Sequence, residues 1–235
     1  MRTHAACLFC LVAVTALLMA WSSARAEQTD TPTLADQLTY LRQEEKLAHD
    51  VYLALGEKWK LRMFQNIAAA ETRHTQAVAA LMKAHDIPDP VAEMEPGDFA
   101  DKALQKLHDQ LVESGSKSLA DALKVGAQIE EMDIADLDRL IADTDDENVK
   151  TIYERLRCGS ANHLRAFNRQ LTHRGIEYTP QHLTAEAYQK VLDGKQGPCG
   201  PGHGNGKGQC GQQGQGQCNG QCKGHGRAAN SGNDD

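Results

Sequence analysis

The sequence predicts an all-α protein: an up-down bundle of four long helices with one or two short accessory helices. Three observations carry this. Residues 34–195 are poor in glycine and rich in Ala, Leu, Glu, Lys and Gln, the strong helix formers. Apolar residues recur every three to four positions in four long stretches. No stretch sustains the apolar/polar alternation of a strand. A segment of this length makes one domain of ordinary size.

The first helix is predicted over Leu34–Leu55 and the second over Leu61–His85. Pro88-Asp89-Pro90 then forces a break, and residues 87–98 form a longer connection. A short helix is expected at Phe99–Glu113, ending at Gly115. The third long helix starts at Ser118, a good N-cap with Asp121 three residues on, and runs to Asp143. Thr144-Asp145-Asp146-Glu147 has the capping-box pattern for the fourth, which continues to His173 and stops at Gly175. A last short helix is expected at Thr184–Leu192.

The flanks read differently. Residues 1–26 resemble a secretory signal peptide: Arg2, an apolar run from Ala5 to Ala20, and Ala24-Arg25-Ala26 as a small-x-small cleavage site. The run is short for a spanning helix, and Cys10 sits too early in it for a lipoprotein. The expectation is therefore cleavage and export, to the periplasm or the outside, with no stable membrane anchor afterwards. Residues 196–235 hold 13 of the 20 glycines, many glutamines and Cys199, Cys210, Cys218 and Cys222, and read as a disordered tail that builds no core. Two readings of the tail stay open, a low-complexity spacer with disulfides and a metal-capturing segment that also uses His203 and His225. No pairing follows from the cysteine spacing, and Cys158 reads as an exposed or rim thiol.

Cleavage after residue 26 removes Arg2 and Arg25 and no acid. It leaves 23 Lys+Arg against 32 Asp+Glu, a net charge of −9. That argues against nucleic acid or anionic lipid as a partner. The expected partners are metal ions and, at most, a second copy of the chain in a homodimer.

The chemistry lies on the apolar faces. A helix turns about 100° per residue. In the first helix Glu45 falls about 40° from Leu41, inside the face of Leu41, Ala48, Tyr52 and Leu55, with Glu44 on the opposite flank. In the second, Glu71 and His74 sit among Ile67, Ala70, Ala77, Val78 and Leu81. In the third, Glu130 lies near the centre of the face of Leu123, Ala127, Ile134 and Leu137, and Glu131 is displaced well to the side. In the fourth, Val149, Ile152, Leu156, Phe167 and Leu171 enclose Ser160 and His163. Each long helix thus places an ionisable group in the core. Four unpaired ones would cost several kcal/mol each, against a typical total stability of about 5–15 kcal/mol. A metal neutralises them together: carboxylates supply oxygens and neutral imidazoles supply nitrogens. The competing reading is a metal-free helical module whose polar core groups pair with each other.

These residues resemble the ferritin-like di-iron family. E45-K-L-A-H-D-V-Y52 is similar to the first helices of rubrerythrins and ferritins, and E71-T-R-H74 to the family's E-x-x-H. E44-E-K-L-A-H-D-V-Y52, I129-E-E-M-D-I-A-D-L137 and S160-A-N-H-L-R-A-F167 resemble more closely an uncharacterised ferritin-like family, over residues 36–193. The resemblance implies a ferritin-like four-helix bundle with Glu45, Glu71, His74, Glu130 and His163 as metal ligands. The implied cofactor is iron, as a di-iron pair, or another divalent metal. It also implies oxidation of Fe(II) by O2 or peroxide, with Tyr52 hydrogen-bonding a ligand or donating an electron. The alternative for Tyr52 is core packing with a satisfied hydroxyl. One departure is plain: the fourth helix reads S160-A-N-H163, with serine in place of the family's carboxylate. Asp133, one turn after Glu130, is the residue expected to compensate. Three function classes follow: an oxidoreductase of the ferroxidase or peroxidase type, a non-catalytic metal buffer using core and tail, and the metal-free module.

Overall fold

A computed structural model of the chain describes residues 32–195 and 197–199. The signal-like leader and the glycine-rich segment from residue 200 onward lie outside the described residues. Among the described residues there are six helices and no strands: α1 (Leu34–Trp59), α2 (Arg62–Ala84), α3 (Lys102–Gly115), α4 (Leu119–Asp143), α5 (Glu147–His173) and α6 (Ala185–Asp193). None of them is long and apolar enough to cross a membrane.

Local chemistry sets the helix ends. Thr33 and Asp36 close a reciprocal capping box on α1. Ser118 caps α4 through Asp121 N, as its sequence predicts. The start of α5 differs from the expectation. Its N-cap is Asp146, which accepts from Asn148 N and Val149 N, while Thr144 accepts only from Asp146 N. A carboxylate two positions nearer the helix reaches its free amides directly and brings a negative charge to the positive helix end. At the other end Gly175 takes φ +66°, which stops α5 as expected.

The helices pack as two hairpins, α1 with α2 and α4 with α5, stacked so that α1 lies against α4 and α2 against α5. α1 and α4 run antiparallel: Tyr52 meets Gly126 and Glu130, and Tyr40 lies beside Asp136. The core falls into two apolar clusters. One holds Tyr52, Phe64 and Phe167; the other holds Leu38, Leu41, Met82, Leu137 and Tyr153. The polar residues described below belong to neither.

Two buried charges hold connections rather than a site. Lys46 donates to Asp50 Oδ2 and to the carbonyls of Glu95 and Asp98, and lies over the Phe99 ring, pinning the 87–98 connection to α1. Glu131, fully buried, accepts from Tyr178 Oη, Gln181 N, His182 N and Leu183 N, and so anchors the segment that leads into α6.

Candidate metal centre

Five of the predicted residues converge between the two hairpins. Glu45 comes from α1, Glu71 and His74 from α2, Glu130 from α4 and His163 from α5. The three carboxylates are at most 1% exposed. Their donor atoms form two groups, Glu45–Glu71–His74 and Glu71–Glu130–His163, each with its ligand atoms within 4.8 Å of one another. Glu71 belongs to both. Its Oε2 lies 2.7 Å from His74 Nδ1 and its Oε1 lies 2.8 Å from His163 Nδ1. Glu45 Oε2 is 3.3 Å from His74 Nδ1, and Glu130 Oε2 is 3.5 Å from His163 Nδ1. The imidazoles stack, with centroids 5.5 Å apart.

Proximity here is not hydrogen bonding. Both oxygens of Glu45 and Glu71, Glu130 Oε2 and both histidine Nδ1 atoms are buried without a hydrogen-bond partner of acceptable geometry. Orphaned buried groups are costly. Seven orphaned atoms pointing at common centres form a donor set of oxygens and imidazole nitrogens that suits a borderline divalent ion. The residues therefore fit a metal.

The electrostatics agree. Burial alone would lower the His163 imidazolium, but Glu130 and Glu71 outweigh it and push it up to about 10. His74 is likewise raised, by Glu71 and Glu45 against burial. Burial raises Glu130 to about 7 even though His163 opposes it. Glu71 goes the other way: burial favours its neutral form, but the two histidines hold it below the usual carboxylate range. Without metal, the histidines hold protons as stand-in cations.

Two further predicted residues, Tyr52 and Asp133, lie next to these groups. Tyr52 Oη donates to Glu130 Oε1 at 2.7 Å, and its ring packs against Phe64 and Phe167, so it fixes the Glu130 carboxylate from the core side. Asp133 is buried beside Glu45 and Glu130 but contributes to neither ligand group. Ser160 is fully buried and donates to Leu156 O in its own helix. The centre thus has three carboxylates and two histidines.

Sequence reasoning missed the covering of this centre. Cys158 is not a free thiol: it forms a disulfide with Cys199. The described chain therefore extends past residue 196, where the tail was expected to begin. Asn162 Nδ2 also donates to Gly197 O. Residues 197–199 border a cavity of about 410 Å³ between α2 and α5, which His74, His163, Arg73 and Arg155 also line. The edge of the centre that faces solvent is this one.

The model of an uncharacterized protein domain, DUF2202, matches residues 34–195. The chain belongs to the DUF2202 family. This DUF2202 protein is 50% identical over 155 residues to the uncharacterized protein MJ0754 of Methanocaldococcus jannaschii, covering 66% of this chain and 84% of the relative. The crystal structure of hypothetical protein MJ0754 matches it with a TM-score of 0.68 at 47% identity, over 69% of this chain and 93% of that one. Neither description names an activity.

Proposed function

We propose that this DUF2202 protein holds two divalent metal ions in a ferritin-like four-helix core, one in each ligand group, with iron as the natural metal. The observation that carries the reading is Glu71, whose two oxygens each serve a different histidine-containing group while neither finds a hydrogen bond. Glu45 and Glu130 are the outer carboxylates, and His74 and His163 present Nδ1. Tyr52 fixes Glu130 by donating to its second oxygen. Bound as Fe(II), the pair would supply electrons to O2 or peroxide, the chemistry of a ferroxidase or peroxidase. The cavity between α2 and α5 gives a small oxidant a route to the histidine edge, and the buried helix faces keep bulk water from the rest.

Ser160 favours a second reading, a metal-holding protein without turnover. Three carboxylates offset three of the four charges of two divalent ions, and oxidation of both ions adds two more positive charges without a fourth carboxylate to meet them. An exported location is part of the proposal. The leader supports it, and so does the Cys158–Cys199 disulfide, since disulfides persist in oxidising compartments.

The test is elemental analysis of tag-free protein after aerobic Fe(II) loading and desalting, on the full chain and on a chain ending at Cys199. About two irons retained by both, the number a two-metal site holds, supports the core site. Iron found only with residues 200–235 attached would move the binding to the tail and overturn it. Fe(II) oxidation faster than in buffer separates the oxidoreductase from the metal holder.

A further inference from the structure

Two buried carboxylates next to the core centre belong to neither ligand group. Glu44 is 5% exposed and Asp133 4% exposed. Both oxygens of Glu44 and Oδ2 of Asp133 lack a hydrogen-bond partner. They line the antiparallel seam between α1 and α4 in a continuous order. Asp133 lies within electrostatic reach of Glu45 and Glu130 of the centre and of Glu44. Glu44 lies beside Asp136 and Tyr40. Tyr40 is 41% exposed and, with Arg139, lines a surface cavity of about 300 Å³. Arg139 pairs with Asp136 Oδ1 at that outer end. Arg139 acts on Glu44 from the outer end but is paired with Asp136, and the largest influences on Glu44 and Asp133 besides burial come from other acids.

Two buried acids with oxygens that lack a hydrogen-bond partner need more compensation than one arginine already paired with Asp136 supplies. Most of the neighbours that act on them are themselves acids, which worsens the cost of ionising either one. Oxygen-only ligands of this kind suit a hard or borderline divalent cation, whereas the histidine-containing groups bind more strongly and farther in.

We propose that Glu44 and Asp133 form a separate divalent-cation site on the α1–α4 seam, through which cations pass from the Tyr40–Asp136 surface to the two core groups. The site extends the metal-centre reading and rests on it. An oxygen-only site of weaker affinity at the entrance lets an ion exchange its waters for carboxylates stepwise before it meets the histidines. It also separates cation entry from the opening between α2 and α5, which two arginines, Arg73 and Arg155, line, whereas Arg139 at the seam entrance is paired with Asp136.

The test uses crystals of the full chain soaked in Mn(II), with manganese located by anomalous scattering, together with the rate at which Co(II) fills the core in solution. Wild type is expected to show manganese in both core groups and a third, weaker peak between Glu44 and Asp133. The isosteric Glu44→Gln and Asp133→Asn variants lose that third peak, keep both core peaks, and fill with Co(II) about tenfold more slowly, the loss typical of a residue supporting a metal site. Filled core groups with nothing between Glu44 and Asp133 would overturn the seam site alone. An unchanged Co(II) rate in both variants would overturn the passage. Empty core groups would overturn the metal-centre reading itself, whatever the seam holds.

Discussion

The imidazole of His74 occupies the space that a side chain on residue 159 would need: a β-carbon built on Gly159 would lie 2.4 Å from His74 Nε2. α5 therefore supplies the centre not only with His163 but with an absence of bulk, one residue before Ser160. A β-carbon at 159 has no room unless the ring moves, and His74 Nδ1 moves with it. Gly159→Ala should cost the Glu45–Glu71–His74 group about 10–100-fold in metal affinity. The helices should stay intact by circular dichroism, and metal content should fall toward one ion per chain.

Glu71 and His163 should differ in kind when replaced. Glu71 belongs to both ligand groups and His163 to one. Glu71→Ala should remove both ions, whereas His163→Ala should leave the Glu45–Glu71–His74 ion in place. Metal counts after desalting check this. Equal losses from the two variants would mean that the groups are not separate.

The metal-free protein should lose stability as pH rises. His163 is raised from 6.5 to about 10 in the fold, so its contribution is full below 6.5 and is lost as pH climbs through about 10. Glu130, raised from 4.5 to about 7 by burial, acts in the same direction: its contribution is lost between 4.5 and about 7. The melting temperature of chelator-treated protein should therefore fall from pH 7 to pH 10. Metal-loaded protein should lack this decline, because metal and protons compete for the same nitrogens and higher pH favours the metal. Binding at pH 7 should release protons, measurable by calorimetry in buffers of different ionisation enthalpy.

Tyr52→Phe removes the donor to Glu130 Oε1 and leaves a fully buried oxygen without its partner. The expected cost is about 1–3 kcal/mol of stability in the metal-free form, read from denaturant unfolding. The melting temperature should recover part of that loss when metal is added, since Glu130 then has a cation to face.

Cys158→Ser should destabilise the oxidised protein by about 2–4 kcal/mol, the usual worth of a disulfide that closes a loop of this size, here 41 residues apart in sequence. In reductant the variant and the wild type should unfold alike.

The helices were legible because their apolar spacing and caps are local signals. The expected spans miss the observed ends by a few residues, as at α1, which runs on to Trp59. The five residues that converge between the hairpins were legible for the same reason: a carboxylate or imidazole in an apolar stripe shows on a wheel. What stayed hidden depends on a second element. Glu131 looked displaced to the side, and it is, but the 178–183 segment returns over that side and buries it. Glu44 looked like a flank residue, and it is buried because α4 covers that flank. Cys158 could not be paired from spacing, since its partner lies beyond α6. Asp133 follows Glu130 by one turn, yet the helix turns its carboxylate toward the α1 seam rather than into either ligand group.

Glu130 and Glu131 stand one position apart and about 100° apart around α4. One looks toward the histidines and the other is gripped by four donors from the segment ahead of α6. A helix held by a carboxylate on one side and presenting a carboxylate on the other has a single rotational setting in which both succeed. The segment before α6 works like a key in a shaft: it sets the angle of α4, and with it the aim of Glu130. Changes at Tyr178 should therefore be felt at the Glu130 carboxylate, although Tyr178 itself lies outside both Glu/His groups.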